Sequence, residues 1–152
     1  MPLDLACAGR VYPATPGYEV GREDIRRFAA AVGDPHPAFR DPAAARALGH
    51  PDVIAPPTFP YVVATQVIDE VVDYDEIGFA PDLVVHADQS FTITRPVHAG
   101  DLLATSVRIQ AARRVRGDDI LVFAVELTDA HDKHVSTVRM TYVSRTPGEE
   151  RS

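Results

Sequence analysis

Asp34 and His36 stand two positions apart in the segment Gly33-Asp34-Pro35-His36-Pro37. A carboxylate and an imidazole within hydrogen-bond reach of one substrate can act as a general acid–base pair, so these two residues are candidate catalytic groups. They also suit a quieter role, with Asp34 capping or turning the chain and His36 solvated in a loop. A third reading has both lining a substrate channel without doing chemistry. His86 falls on the polar side of an alternating segment and is a candidate for lining a groove. His50, His98, His131 and His134 fall in loops or at strand ends and read as surface residues. Cys7 is the only cysteine, which rules out an internal disulfide or a cysteine-based zinc site; it reads as a passive small residue near a loose terminus. No Cys/His cluster has metal-ligand spacing and no Gly-rich phosphate loop occurs, so no metal or other cofactor is expected.

The elements that must position these residues follow from periodicity. Ile25, Phe28, Ala29 and Val32 recur at i, i+3, i+4 and i+7, predicting an amphipathic helix over 22–32 that Gly33 and Asp34 end. Residues 34–57 are punctuated by prolines and predict a long loop with one helical turn near 42–48. Residues 58–72, TFPYVVATQVIDEVV, are apolar on most sides and predict a helix buried in the protein, with Pro60 tolerated near its start. From residue 85 the period changes to two. Val85, Ala87, Phe91 and Ile93 alternate with His86, Asp88, Ser90, Thr92 and Thr94, the pattern of a half-buried strand. Further strands are expected over 102–112, 120–128 and 135–144, joined as an antiparallel meander, with a short extended piece at Tyr18-Glu19-Val20. One buried helix followed by long antiparallel strands is an α+β plan in which the sheet wraps around a central helix, the hot-dog arrangement. Its open strand edges predict a dimer.

The chain has 152 residues, enough for one domain, with an ordered core expected over about 10–145 and tails at 1–9 and 146–152. A formal charge of −7 argues against a nucleic-acid binder. The sequence lacks an apolar run of the roughly 18 residues a membrane span requires and a leader-like start, so a cytoplasmic protein is expected. The basic cluster Arg113, Arg114 and Arg116 reads as a solvated turn.

Residues 28–63, FAAAVGDPHPAFRDPAAARALGHPDVIAPPTFPYVV, resemble the hydratase motif of the MaoC-like (R)-specific enoyl hydratases and 3-hydroxyacyl dehydratases, with Gly33, Asp34 and Pro37 at matching positions. Residues 86–103, HADQSFTITRPVHAGDLL, resemble the family's later strand, turn and strand. The pattern is most similar to the non-catalytic A subunits of actinobacterial long-chain (3R)-hydroxyacyl-ACP dehydratases, whose partner subunits carry the intact motif. The resemblance implies an acyl chain linked through a thioester to CoA or to an acyl carrier protein, and a homodimer or a heterodimer with a catalytic MaoC-like subunit.

Two departures bear on activity. Phe39 stands where the family has its catalytic histidine, and a phenyl ring moves no proton. Pro57 stands where a glycine N–H would meet the thioester carbonyl oxygen, and proline has no N–H. The resemblance therefore implies substrate contacts for Phe39, Pro57, Thr58, Phe59, His86 and Gln89, and a subunit that binds acyl chain while a partner does the chemistry. Two alternatives stay open: an active homodimeric hydratase using Asp34 and His36, and a catalytically silent acyl-thioester binding protein. A thioesterase ranks last, because Asp34 lies in the wrong sequence context. An acidic carrier would need a basic rim such as Arg22, Arg26, Arg40, Arg95 or 113–116.

Overall fold

The computed structural model describes residues 1–145, and the tail expected at 146–152 lies outside the described residues. The elements follow in the order β1 (Val11–Glu19), α1 (Arg22–Ala31), α2 (Pro42–Ala47), α3 (Pro60–Val71), β2 (Val84–Ile93), β3 (Leu102–Val115), β4 (Asp118–Thr128) and β5 (His134–Arg145). The strands form one antiparallel sheet ordered β1-β3-β4-β5-β2, which packs on α3 through β1, β3 and β5. Val63, Ala64, Val67 and Ile68 of α3 are buried against Leu103, Val107, Leu121, Phe123, Val125 and Met140 of the sheet. Each such large side chain contributes on the order of 1.5–3 kcal/mol by leaving water. This is the expected α+β hot-dog arrangement. No helix among the described residues is long and apolar enough to cross a membrane.

Helix α1 ends where expected, at Gly33 with φ +72°. The turn between β3 and β4 is Arg116-Gly117, with φ +52° and +84°. Two central residues with positive φ make the tight hairpin turn whose twist matches the strands. Arg113 and Arg114 therefore belong to β3, paired with Ile120 and Asp119, rather than to a solvated turn.

Three expectations are corrected. First, β2 does not neighbour β3 as a meander requires, but crosses to the far side of β5. Arg95 makes this crossing firm: its Nη1 and Nη2 each donate to the buried Asp101 carboxylate at 2.8 Å, and Nη2 lies 3.5 Å from Asp129 in the β4–β5 turn. Arg95 is thus committed within the fold and is no free member of a basic rim. Arg22 pairs with Asp52, Arg26 with Glu23 and Arg114 with Asp119 in the same way. Second, the even alternation expected of β2 is interrupted by a register shift between His86 and Asp88, and Val85 and Ile93 are about half exposed. Third, residues 1–9 are no loose tail. Leu3 and Cys7 are buried, the Asp4 N–H donates to the Ile77 carbonyl at 2.9 Å, and burial pushes the Cys7 thiol up. Gly78, with φ +68°, faces this segment so closely that a Cβ there would sit 2.3 Å from the Pro2 carbonyl oxygen.

Candidate functional site

The loop after α1 is built by local hydrogen bonds. The Asp34 N–H donates to the Ala29 carbonyl at 2.9 Å, closing the helix end. The Asp34 carboxylate accepts the His36 backbone N–H at 3.1 Å, and His36 Nδ1 accepts the Ala38 N–H at 3.1 Å, capping the short turn Pro37–Phe39. An accepting Nδ1 puts the ring proton of a neutral imidazole on Nε2. Both side chains are thus engaged by main-chain amides, and no bond joins the carboxylate to the imidazole. In this arrangement each side chain caps the turn through one acceptor atom. Phe39 turns inward, 8% exposed, with its ring 5.4 Å from that of His36.

The opening of α3 is correspondingly poor in donors. Ala55 is fixed by its N–H to the Val97 carbonyl at 2.7 Å, and the Phe59 N–H donates to the Pro56 carbonyl at 2.9 Å. Pro57 and Pro60 have no N–H, which leaves the Thr58 amide as the one opening-turn donor without a protein acceptor among the described residues. Thr58 is exposed. Phe39, Ile54, Pro57, Pro60 and Ile93 together line an almost wholly apolar pocket of about 180 Å³. Phe59, expected to meet substrate, is instead core: it is 1% exposed and meets Phe28 edge-on at 5.5 Å. The first helical residue places Pro60 and not Phe59 at the pocket, because side chains one position apart on a helix point in different directions.

A second cavity, about 300 Å³, runs down the side of α3 and is lined by Tyr61, Thr65, Asp69, Tyr74, Val84 and Tyr142. His86 lies at its edge, stacked on Tyr61 at 5.4 Å and edge-on to Tyr142 at 5.1 Å. The bulge beside His86 re-aims this side chain, as bulges near sites often do. Burial, followed by the Asp69 charge, pushes the Tyr74 phenol up to about 12. Burial and the neighbouring Tyr61 push Tyr142 upward as well. Gln89 is half-buried in the middle of β2, paired with Met140. The tyrosines were not among the expected contacts, although Tyr61, Thr65 and Asp69 recur at i, i+4 and i+8 of an otherwise apolar helix, a readable polar stripe. On the other flank of α3 a third cavity of about 550 Å³ meets Tyr18, Glu19, Asp24 and Glu70. Among the described residues no three His, Cys, Asp or Glu side chains cluster as metal ligands do.

The FAS1-like dehydratase domain region profile matches residues 6–138. The chain belongs to that family. This dehydratase-region domain is 47% identical, over 95% of its length, to a UPF0336 protein of Streptomyces coelicolor, covering 97% of that relative. Among solved structures, one titled MaoC-like dehydratase superposes with a TM-score of 0.85 at 34% identity over 93% of this chain, which spans only 43% of that longer chain. A chain of the C-terminally truncated HadBC (3R-hydroxyacyl-ACP dehydratase) complex of Mycobacterium tuberculosis superposes with a TM-score of 0.81 at 31% identity, covering 95% of this chain and all of that one. The domain is therefore a MaoC-like member of the hydratase/dehydratase hot-dog group.

Proposed function

We propose that the chain is the acyl-binding, chemically silent subunit of a (3R)-3-hydroxyacyl-thioester dehydratase of fatty-acid synthesis, completed by a catalytic MaoC-like partner. The observation that carries this reading is Phe39, buried as a wall of an apolar pocket directly beneath the opening of α3. Proton transfer by a positioned side chain is worth about 10²–10⁴ in rate, and a missing oxyanion donor costs about 10²–10³. Phe39 and Pro57 supply neither contribution, and the engagement of Asp34 Oδ1 and His36 Nδ1 by backbone amides supports a chemically silent chain. The HadBC dehydratase on which this chain superposes is a complex of two different chains. In this chain β2 offers an open edge with Val85 and Ile93 exposed.

The deciding experiment measures hydration of crotonyl-CoA and dehydration of a long-chain 3-hydroxyacyl thioester, on CoA and on an acyl carrier protein, by the purified chain alone and mixed with a catalytic MaoC-like subunit. Activity only in the mixture is expected. Turnover near 10 per second by the chain alone, abolished by His36→Ala, would instead establish an active homodimer. Thioester binding without turnover in any mixture would leave a binding protein. Val85→Lys, placing a charge on the β2 edge, should shift the species seen by light scattering toward monomer while moving the stability of the fold by no more than about 0.5 kcal/mol.

A further inference from the structure

The cleft beside α3 is a box of aromatic rings with one charge. Tyr61, Tyr74, Phe79 and Tyr142 line its space of about 300 Å³, and Asp69 is the one charged side chain among the described residues lining it. The rings come from three parts of the chain: α3, the segment that follows it, and β5. Neighbouring rings hold them in place. His86 covers one face of Tyr61 at 5.4 Å and meets Tyr142 edge-on at 5.1 Å, while Tyr74 tilts against Phe79 at 6.0 Å.

The hydroxyls of this box are already spent on its own walls. Tyr74 is bonded to the Asp69 carboxylate, and Tyr142 to Tyr61 and to Met140 Sδ at 3.5 Å. The Thr65 hydroxyl donates to the Tyr61 and Val62 carbonyls. An anion would therefore find no free hydroxyl donor among these residues, and it would face Asp69. What the box offers a ligand is negative. Asp69 lies in the last turn of α3, at the carbonyl end of the helix dipole, with no basic residue in that turn. The ring faces carry partial negative charge as well. A primary ammonium entering here would give up its hydration for a single charged acceptor, whereas a quaternary ammonium brings a positive charge with no N–H to satisfy. Burial is the leading cause of the raised Tyr74 and Tyr142 phenols, and attraction between a cation and a ring grows where water is excluded.

We infer that this box binds a small quaternary ammonium ion, its trimethylammonium head packed on Tyr61, Tyr74, Phe79 and Tyr142 and balanced by Asp69. The inference stands apart from the acyl-binding reading of the pocket at the α3 opening. Calorimetric titration of the purified full chain with choline tests it against two controls. One is 3,3-dimethylbutan-1-ol, which copies the shape of choline without the charge. The other is ethanolamine, which keeps the charge but replaces the methyl groups with N–H. Choline should bind with a dissociation constant on the order of 1 mM or lower, and about tenfold tighter than either control. Asp69→Asn leaves an acceptor for the Tyr74 hydroxyl, and it should weaken choline about tenfold while leaving the neutral alcohol unchanged. Tyr74→Leu removes a ring and should weaken choline similarly, with the fold checked by circular dichroism. No saturation by choline at about 10 mM overturns the inference. So does a control that binds as tightly as choline, or choline affinity that Asp69→Asn leaves unchanged.

Discussion

The opening turn of α3 and the flank of the same helix have been treated in opposite ways. At the opening, where the MaoC-like reaction needs donors and a proton carrier, stand two prolines and a buried phenylalanine. Along the flank, where no bond is made or broken, three tyrosines, a threonine and an aspartate line the wall. One helix therefore carries a donor-poor opening and a polar flank.

Substitutions can break or sharpen this contrast. The largest effect is expected at Phe59→Ala, which empties the core behind the opening and removes the edge contact with Phe28, costing about 3–5 kcal/mol in denaturant unfolding. Pro57→Gly returns an N–H to the opening but loosens the unfolded chain less favourably, lowering stability by about 0.4–1 kcal/mol. With Phe39 still in place, its hydration activity should stay at background. Tyr142→Phe on the flank should cost about 0.5–1 kcal/mol, since the hydroxyl's bonds to the Met140 thioether and to Tyr61 are lost. The smallest effect concerns the segment that feeds the opening. Asp52 receives a two-point contact from Arg22 and caps the Val53 N–H at 2.8 Å, and Arg22 beside it lowers its carboxyl from 3.8 to about 2. A depressed folded value means this pair stabilises fully above about pH 4 and is lost as pH falls toward 2. Arg22→Ala should therefore lower stability slightly at neutral pH, as an exposed pair would, leave it unchanged near pH 2, and so flatten that part of the acid-unfolding profile.

Periodicity made α1, α3 and the strands β3 to β5 legible to within a few residues, because each buries one face against a single core. β1 was visible only as Tyr18 to Val20. Prolines at 13 and 16 cannot donate to a ladder and so mask a strand in the sequence, and the pairing with β3 passes them with two register shifts. The crossing of β2 depends on Arg95 reaching both Asp101 and Asp129, a long-range contact that no local pattern records. At the site, Asp34, His36, Phe39 and Pro57 were all readable as motif positions, but which of them face a cavity was not. Only the fold shows Phe39 and Pro57 lining one pocket while Asp34 Oδ1 and His36 Nδ1 each accept a main-chain N–H.

Gly78 closes against the Pro2 carbonyl in a backbone conformation that side chains rarely adopt. Residue 78 and the first residues of the chain therefore behave as a single inherited unit. Among relatives, a start that packs in this way should travel with glycine at the corresponding position, and one that diverges should release it. That pairing joins positions more than seventy residues apart, and a comparison of sequences can read it without any structure at all.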